Sequence, residues 1–383
     1  MKKRMKIGIV CYPTYGGSGI VATELGMDLA EKGHEVHFFS SNMPARLNIK
    51  LPNIFFHRIH VETYPLFQYQ PYDLALSTIL YEKTLQYQLD LVHVHYAIPH
   101  AYAAYFAKQM LNRKGYNLPV VTTLHGTDIT LVGKHPVYKT AVEFSINESD
   151  IVTAVSDSLK QDTLHAFDIN NDIQVVPNFI DNEQYIPEKF GCCRSHFALP
   201  SEKVILHVSN LRRVKRIQDV ISTFNLIQKS IPSKLIIAGE GPEWEMADNL
   251  IQEYGIEDKV KSLGMVSDLN DVLKAADLFL LPSEQESFGL AALEAMAASV
   301  PVISSNAGGI PEVNLDGITG FVCPVGDVAM MAEKAIYILE DQQRLARFSN
   351  EAKEQALRFD KKIILPMYED LYRKALINKT VEL

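Results

Sequence analysis

Short apolar runs, each followed by a loop and then by a helix-patterned segment, recur from one end of this chain to the other. Apolar runs of about four to eight residues between turn signals read as strands buried on both faces. Strands alternating with helices predict an α/β fold with parallel, doubly wound sheets. The pattern begins twice. Lys6 to Cys11 (KIGIVC) leads into PTYGGSG and the helix-like IVATELGMDLAEKG, with Gly33 as its cap, and then into Glu35 to Phe39. Lys203 to Val208 (KVILHV) leads into Ser209 to Arg216, a helix from about Gln218 to Lys229, and Ser233 to Ala238. Two tandem Rossmann-like units therefore account for nearly all of the 383 residues. The boundary reads near residue 182, giving domains 1–181 and 182–360. The last helix, 361–383, is expected to pack back on the first. Ligands of such sheets bind beyond the carboxyl ends of the strands. The two binding edges are expected to face each other across an interdomain cleft.

Composition narrows the function classes. With 47% hydrophobic and 22% charged residues, the chain reads as an ordinary globular protein. No apolar run approaches the roughly 18 residues of a membrane span. The basic start, MKKRMKIGIVCYP, has too short an apolar part for a signal peptide and reads as a first strand. Cys11, Cys192, Cys193 and Cys323 lack metal-ligand spacing, and the adjacent pair Cys192–Cys193 is a poor disulfide. Reduced thiols and a cytoplasmic location fit best. A net charge of -9 argues against bulk nucleic-acid binding. It leaves room for a small phosphorylated substrate, which feels only the local field. Oligomeric state is open.

The loops at the strand ends carry the chemistry. Gly16-Gly17-Ser18-Gly19 lets backbone approach a ligand at a helix N-terminus. It is not GxGxxG, and the second strand runs into Ser40-Ser41-Asn42 with no acidic residue for a nicotinamide ribose, which counts against a dehydrogenase. A Tyr- and Pro-rich loop spans Tyr64 to Tyr72. Leu89 to Tyr96 (LDLVHVHY) is a strand with His93 and His95 on one face, read as core residues, and Tyr96 at the binding edge. His100 is expected to start the next helix. Pro119 to Leu124 (PVVTTL) ends in His125-Gly126-Thr127-Asp128, where His, Thr and Asp can exchange hydrogen bonds with hydroxyls or a carboxylate. Metal binding is the competing idea there, without an HxxxH or a carboxylate at helical spacing.

The second half holds the most informative stretch, Leu280 to Gly309. Asp277 to Leu281 reads as a buried strand, and Leu290 to Ala298 as a helix. Glu286 stands at the strand's carboxyl end. Ser287, Phe288 and Gly289 place backbone N–H groups at the helix N-terminus, a ready anion site. Glu294 lies on a helix too apolar for the surface, so its carboxylate needs donors; a ribose hydroxyl pair would serve. Four of the five residues from Arg212 to Arg216 are cationic. A solvated loop is the plain reading. In an acidic chain, at a strand's carboxyl end, a diphosphate site is the better one.

Glu286-Ser-Phe-Gly-Leu-Ala-Ala-Leu-Glu294 resembles the ExFGxxxxE pattern of the retaining GT-B glycosyltransferases of family four. The resemblance covers the whole chain, through GGSG, HGTD, the basic loop, GEGPE and AGGIPE. It implies a GT-B fold with a donor-binding second domain and an acceptor-binding first domain. By resemblance, Glu294 binds the ribose of a uridine nucleotide and Glu286 the donor sugar, assisted by backbone N–H groups at Phe288, Gly289 and Leu290. Lys215 matches the family lysine on the diphosphate. The companion arginine usually stands where this chain has Asn210, and Arg212 is assigned in its place. Gly17 would meet the diphosphate and His125 the sugar near the reacting carbon. Ser18, Tyr96 and Thr123 are assigned to the acceptor. His125, Glu286, Lys215 and Arg212 would surround the reacting centre.

KIGIVCYPTYGGSG, LVHVHYAIPHA, TTLHGTDIT and SNLRRVKR narrow the resemblance to a subgroup. It implies transfer of N-acetylglucosamine from UDP-N-acetylglucosamine to the hydroxyl of L-malate, with retention, as the first step of bacillithiol biosynthesis. Neither a cofactor nor a metal is implied, because cationic side chains and N–H groups supply the electrostatics. The alternatives are a family member with a lipid or glycan acceptor, a UDP-sugar 2-epimerase of similar architecture, or a nucleotide-sugar-binding protein without turnover. A lipid acceptor should bring a basic amphipathic helix, and IVATELGMDLAEKG has no basic face.

Overall fold

A computed structural model describes residues 4–14, 16–62, 70–185, 194–266 and 268–381. Most of the Tyr- and Pro-rich loop and the Cys192–Cys193 pair lie outside the described residues. The chain divides into two compact units, 1–178 with 362–383, and 179–361. The division after Asn178 falls slightly before the expected boundary at 182.

Among the described residues, the first unit holds a seven-stranded parallel sheet. Its strands are β1 (Lys6–Val10), β2 (Glu35–Ser40), β3 (Ile54–Arg58), β4 (Leu91–His95), β5 (Val120–Leu124), β6 (Ile151–Ala154) and β7 (Ile173–Val175). They lie in the order β3-β2-β1-β4-β5-β6-β7. Ile7 pairs with Val36 on one side and Leu91 on the other, so the strand order reverses between β1 and β4. Every residue of β4 and β5 is buried, as helices on both faces of a parallel sheet require. The edge strand β3 is less covered, with Phe55 and Arg58 exposed.

The helix Lys361–Val381 belongs to this unit. Tyr368 and Tyr372 are fully buried, and the Tyr372 hydroxyl lies 2.7 Å from His93 Nδ1. Glu369 is buried between His34, at 3.3 Å, and Lys32, at 3.1 Å. A buried carboxylate needs such partners, which also fix the helix in register.

The second unit holds a six-stranded parallel sheet among the described residues. Its strands are β8 (Lys203–Val208), β9 (Ser233–Ala238), β10 (Val260–Gly264), β11 (Leu278–Leu281), β12 (Val302–Ser305) and β13 (Gly320–Cys323). The order is β10-β9-β8-β11-β12-β13, so the reversal falls between β8 and β11. Ile205, Ile217, Ile221, Phe224, Leu235, Ile237, Leu278 and Ile303 belong to one buried cluster.

Two local readings differ from the structure. His100 does not open the helix after β4. An irregular turn, Ala97–Ala101, intervenes, with Ile98 extended, and the helix is Tyr102–Asn112. The Ala97 N–H donates to buried Asp128, and Ile98 is kept out of helical geometry by the ring of Pro99 that follows it. The strand expected from Gly317 begins at Gly320, because Leu315 to Thr319 closes a tight turn on the Thr319 hydroxyl.

Candidate active site

Each sheet presents its switch-point loops at the strands' carboxyl ends. In the first unit these are the glycine loop after β1 and the Tyr96 turn after β4. The helix Gly17–Glu31 begins straight from that loop. A Cβ on Gly19 would stand 2.5 Å from the Thr14 carbonyl oxygen and 2.9 Å from that of Tyr12, so only glycine lets the loop fold this tightly. Gly17 is exposed. Ser18 Oγ lies 2.6 Å from the Tyr96 hydroxyl, linking the two loops. Tyr96 takes a positive φ of 89°. That conformation is uncommon for a residue with a side chain, and such positions cluster at functional sites. Tyr12, which the motif reading passed over, packs its ring 5.2 Å from Tyr96 and 4.6 Å from His100.

Behind these loops lies a histidine network. His93, His95, His100 and His125 are all buried. Burial pushes His93 and His125 down to about 3 and His100 to about 4, and it drives His95 well below the ordinary value. At neutral pH these imidazoles are uncharged. His95 Nδ1 lies 2.8 Å from His125 Nε2, and the His95 ring stacks 4.4 Å from His93 and 5.0 Å from His125.

Two residues of the HGTD region turn inward. Asp128 accepts from the N–H groups of Ala97 at 2.8 Å and Gly126 at 3.0 Å, and burial pushes its carboxyl up to about 6. It shapes the loop. Thr123 requires a correction. It is fully buried, and its hydroxyl is shared between His93 Nε2 and the Thr153 hydroxyl, both at 2.7 Å. A hydroxyl spent on two interior partners behind the surface is not placed for an acceptor; it supports the imidazole layer.

In the second unit the basic loop after β8 and the Glu286 loop after β11 stand side by side. The Glu284 N–H donates to the Val214 carbonyl oxygen at 2.8 Å. Lys215 Nζ lies 2.5 Å from Glu286 Oε2, both side chains being largely buried. The assigned diphosphate lysine and sugar carboxylate thus pair with one another here, which leaves the other ammonium hydrogens and the second carboxylate oxygen for a ligand.

The four cations of the cluster differ in kind. Arg216 is committed to Asp219, at 2.6 Å, and to Glu284, at 3.4 Å. Arg212 and Arg213 are exposed, and neither side chain has an ion-pair partner among the described residues. Nothing in the structure ranks Arg212 above Arg213. Buried His207 braces the loop from below, 2.9 Å from the Leu280 carbonyl oxygen and 2.8 Å from Ser209 Oγ.

The motif helix runs Leu290–Ala297, with Gly289 at its N-terminal cap. Phe288 is buried, its ring edge-on to Phe359 at 5.5 Å, so any ligand contact there belongs to its backbone. Glu294 is only 9% exposed. Gly308 and Gly309 matter more than the AGGIPE motif alone shows. The Gly309 N–H donates to the Glu286 carbonyl oxygen at 2.9 Å. A Cβ on Gly308, whose φ is 53°, would lie 2.0 Å from that same oxygen. The glycines therefore set where Glu286 sits. Among the described residues no cluster of three or more His, Cys, Asp or Glu is placed to hold a metal ion.

The chain thus forms two tandem doubly wound sheets, with a cationic loop and a buried-carboxylate helix at the switch point of the second. Residues 15–184 match the glycosyltransferase family 4 model, and residues 194–355 match that of the group 1 glycosyl transferases. The chain belongs to the family-four glycosyltransferases of GT-B fold and is a glycosyltransferase. It is 46% identical over 371 residues to the N-acetyl-alpha-D-glucosaminyl L-malate synthase of Bacillus anthracis, covering 96% of this chain and 97% of that protein. Sucrose-phosphate synthase from Thermosynechococcus elongatus superposes with a TM-score of 0.81 at 21% identity, over 98% of this chain and 100% of that one. Anabaena HepE, in complex with UDP and glucose, gives 0.80 at 21% identity, over 96% and 99%. These two likenesses concern the fold.

Proposed function

We propose that this enzyme transfers N-acetylglucosamine from UDP-N-acetylglucosamine to the hydroxyl of L-malate with retention of the α configuration, opening bacillithiol biosynthesis. The observation that carries the reading is the 46% identity with the Bacillus anthracis malate enzyme along 96% of the chain, through both units. The second unit holds the donor. Glu294 receives the ribose hydroxyls, and Lys215 and Arg212 take the diphosphate. Glu286 and the N–H groups from Phe288 to Leu290 hold the sugar. Gly17, Ser18, Tyr96 and His125 supply the first unit's contacts.

The leaving phosphate oxygen accepts the proton of the malate hydroxyl as the new glycosidic bond forms on the same face of the sugar. Lys215 and Arg212 stabilise the negative charge that grows on the diphosphate. Preformed cations of this kind let the reaction run without a metal. No helix of the described residues is long and apolar enough to cross a membrane. Buried Cys11 and Cys323 are free thiols, which supports a cytoplasmic site of action.

The test is UDP release from UDP-N-acetylglucosamine with and without L-malate, with and without a chelator, and NMR of the product's anomeric proton. Malate-dependent, chelator-insensitive release of an α-glycoside is expected. Equal release with and without malate would remove malate as the acceptor.

A further inference from the structure

His95 is a buried imidazole that no part of the proposed chemistry uses. It ends β4, is fully buried, and lies between the rings of His93 and His125. Its Nδ1 is 2.8 Å from His125 Nε2, and its Nε2 has no hydrogen-bond partner among the described residues.

Two neutral imidazoles share one hydrogen across such a contact, and only two arrangements are open. In one, His125 donates through Nε2–H. His95 must then accept at Nδ1 and carry its own hydrogen on Nε2, leaving an N–H buried without an acceptor. In the other, His95 donates through Nδ1–H, and its bare Nε2 is the group left over. Orphaned buried N–H groups are the rarer of the two in folded proteins. The second arrangement obliges His125 to carry its hydrogen on Nδ1. His125 Nδ1 has no side-chain partner among the described residues, so it is the ring nitrogen left for a ligand.

We propose that His95 is a positioning residue that locks His125 in its Nδ1–H form, so that His125 offers a bound sugar a hydrogen-bond donor. The inference rests on the proposed role of His125 at the donor sugar. A fixed Nδ1–H orients a sugar hydroxyl by always donating to its oxygen, whereas a ring free to swap tautomers would offer an acceptor part of the time. The stacking of His93 and His95 keeps the donating ring in plane, and the Thr123 and Tyr372 hydroxyls hold His93 in turn.

The test reads the tautomer directly. The full-length protein carrying 15N-labelled histidine is examined by long-range 1H–15N NMR, with His125→Gln used to assign the His125 signals. Native His125 is expected as the Nδ1–H form. His95→Phe keeps an aromatic ring but removes the donor; it is expected to mix the His125 tautomers and lower kcat by about tenfold or more. His95→Asn places an amide N–H near the lost Nδ1 and is expected to recover most of that rate. Native His125 in the Nε2–H form would overturn the proposal. So would an unchanged tautomer in His95→Phe, or a rate in His95→Asn as low as in His95→Phe. Native protein that releases no UDP would count against the reaction proposed above while leaving the tautomer readout intact, so the two failures are distinguishable.

Discussion

The two units place their loops at the same topological point and fill it with opposite chemistry. At the β1–β4 switch the side chains are mostly neutral: serine, tyrosine and imidazoles that burial keeps uncharged, with the buried Asp128 carboxyl turned inward onto backbone N–H groups. At the β8–β11 switch they are ionic: the Lys215–Glu286 pair, and Arg212 and Arg213 exposed beside it. A doubly wound sheet supplies the location and leaves the chemistry to loop sequence. Charges suit a diphosphate, whose growing negative charge they stabilise. Neutral donors suit the hydroxyls of a sugar, which are oriented by hydrogen bonds rather than by charge.

The comparison breaks most readily at Lys215. Lys215→Ala should lower kcat/KM for the donor about 100- to 1000-fold, or about 3–4 kcal/mol, because it removes a cation from the leaving group and leaves Glu286 unpaired. Steady-state UDP release measures this, and a loss under tenfold would remove Lys215 from the diphosphate. Glu294→Ala should cost about 2 kcal/mol in kcat/KM, through donor KM in particular. Unchanged kinetics would mean that the ribose is bound elsewhere.

Acid should separate the two units. Burial lowers His37, takes His57 and His100 to about 4 and His93 and His125 to about 3, and drives His95 well below the ordinary value; the second unit has only His207, at about 4, of this kind among the described residues. Between these values and the ordinary value of about 6.5, the unfolded chain binds the extra protons. Stability therefore falls as pH drops from about 6.5 towards 4, by up to about 1.4 kcal/mol per pH unit for each group. Asp128, raised to about 6 by burial, works in the opposite sense. Its contribution is full below the unfolded carboxyl value and is lost as pH rises through 6, one group against six. Hydrogen exchange at stepwise lower pH should show first-unit peptides losing protection before second-unit peptides. Simultaneous loss would refute the contrast.

The finest distinction is between neighbouring arginines. Arg212→Ala should raise donor KM about tenfold, the scale of one charge-assisted contact, whereas Arg213→Ala should change it less than about twofold. Reversed values would move the diphosphate assignment by one residue.

Much of this protein is legible in its residues. Apolar runs such as KIGIVC and KVILHV are too short for buried helices and too apolar for half-exposed strands, so parallel strands covered on both faces follow. Glu294 stands out as a carboxylate on an Ala- and Leu-rich helix, and the cationic loop stands out against a net charge of -9. Local pattern also places His125, Lys215 and Glu286 at strand ends. It does not say which polar groups face inward. Thr123 reads as a binding residue until His93 and Thr153 are seen on either side of its hydroxyl. Phe288 is part of a motif, yet its ring belongs to the core.

Strand identity and loop chemistry depend on neighbours along the chain, and those the sequence determined by itself. The Lys215–Glu286 pair joins residues 71 positions apart, and the His95–His125 contact joins residues 30 apart. Only the tertiary structure decided those partnerships, because hydrogen bonds and ion pairs act over a few ångströms of space whatever the distance along the chain.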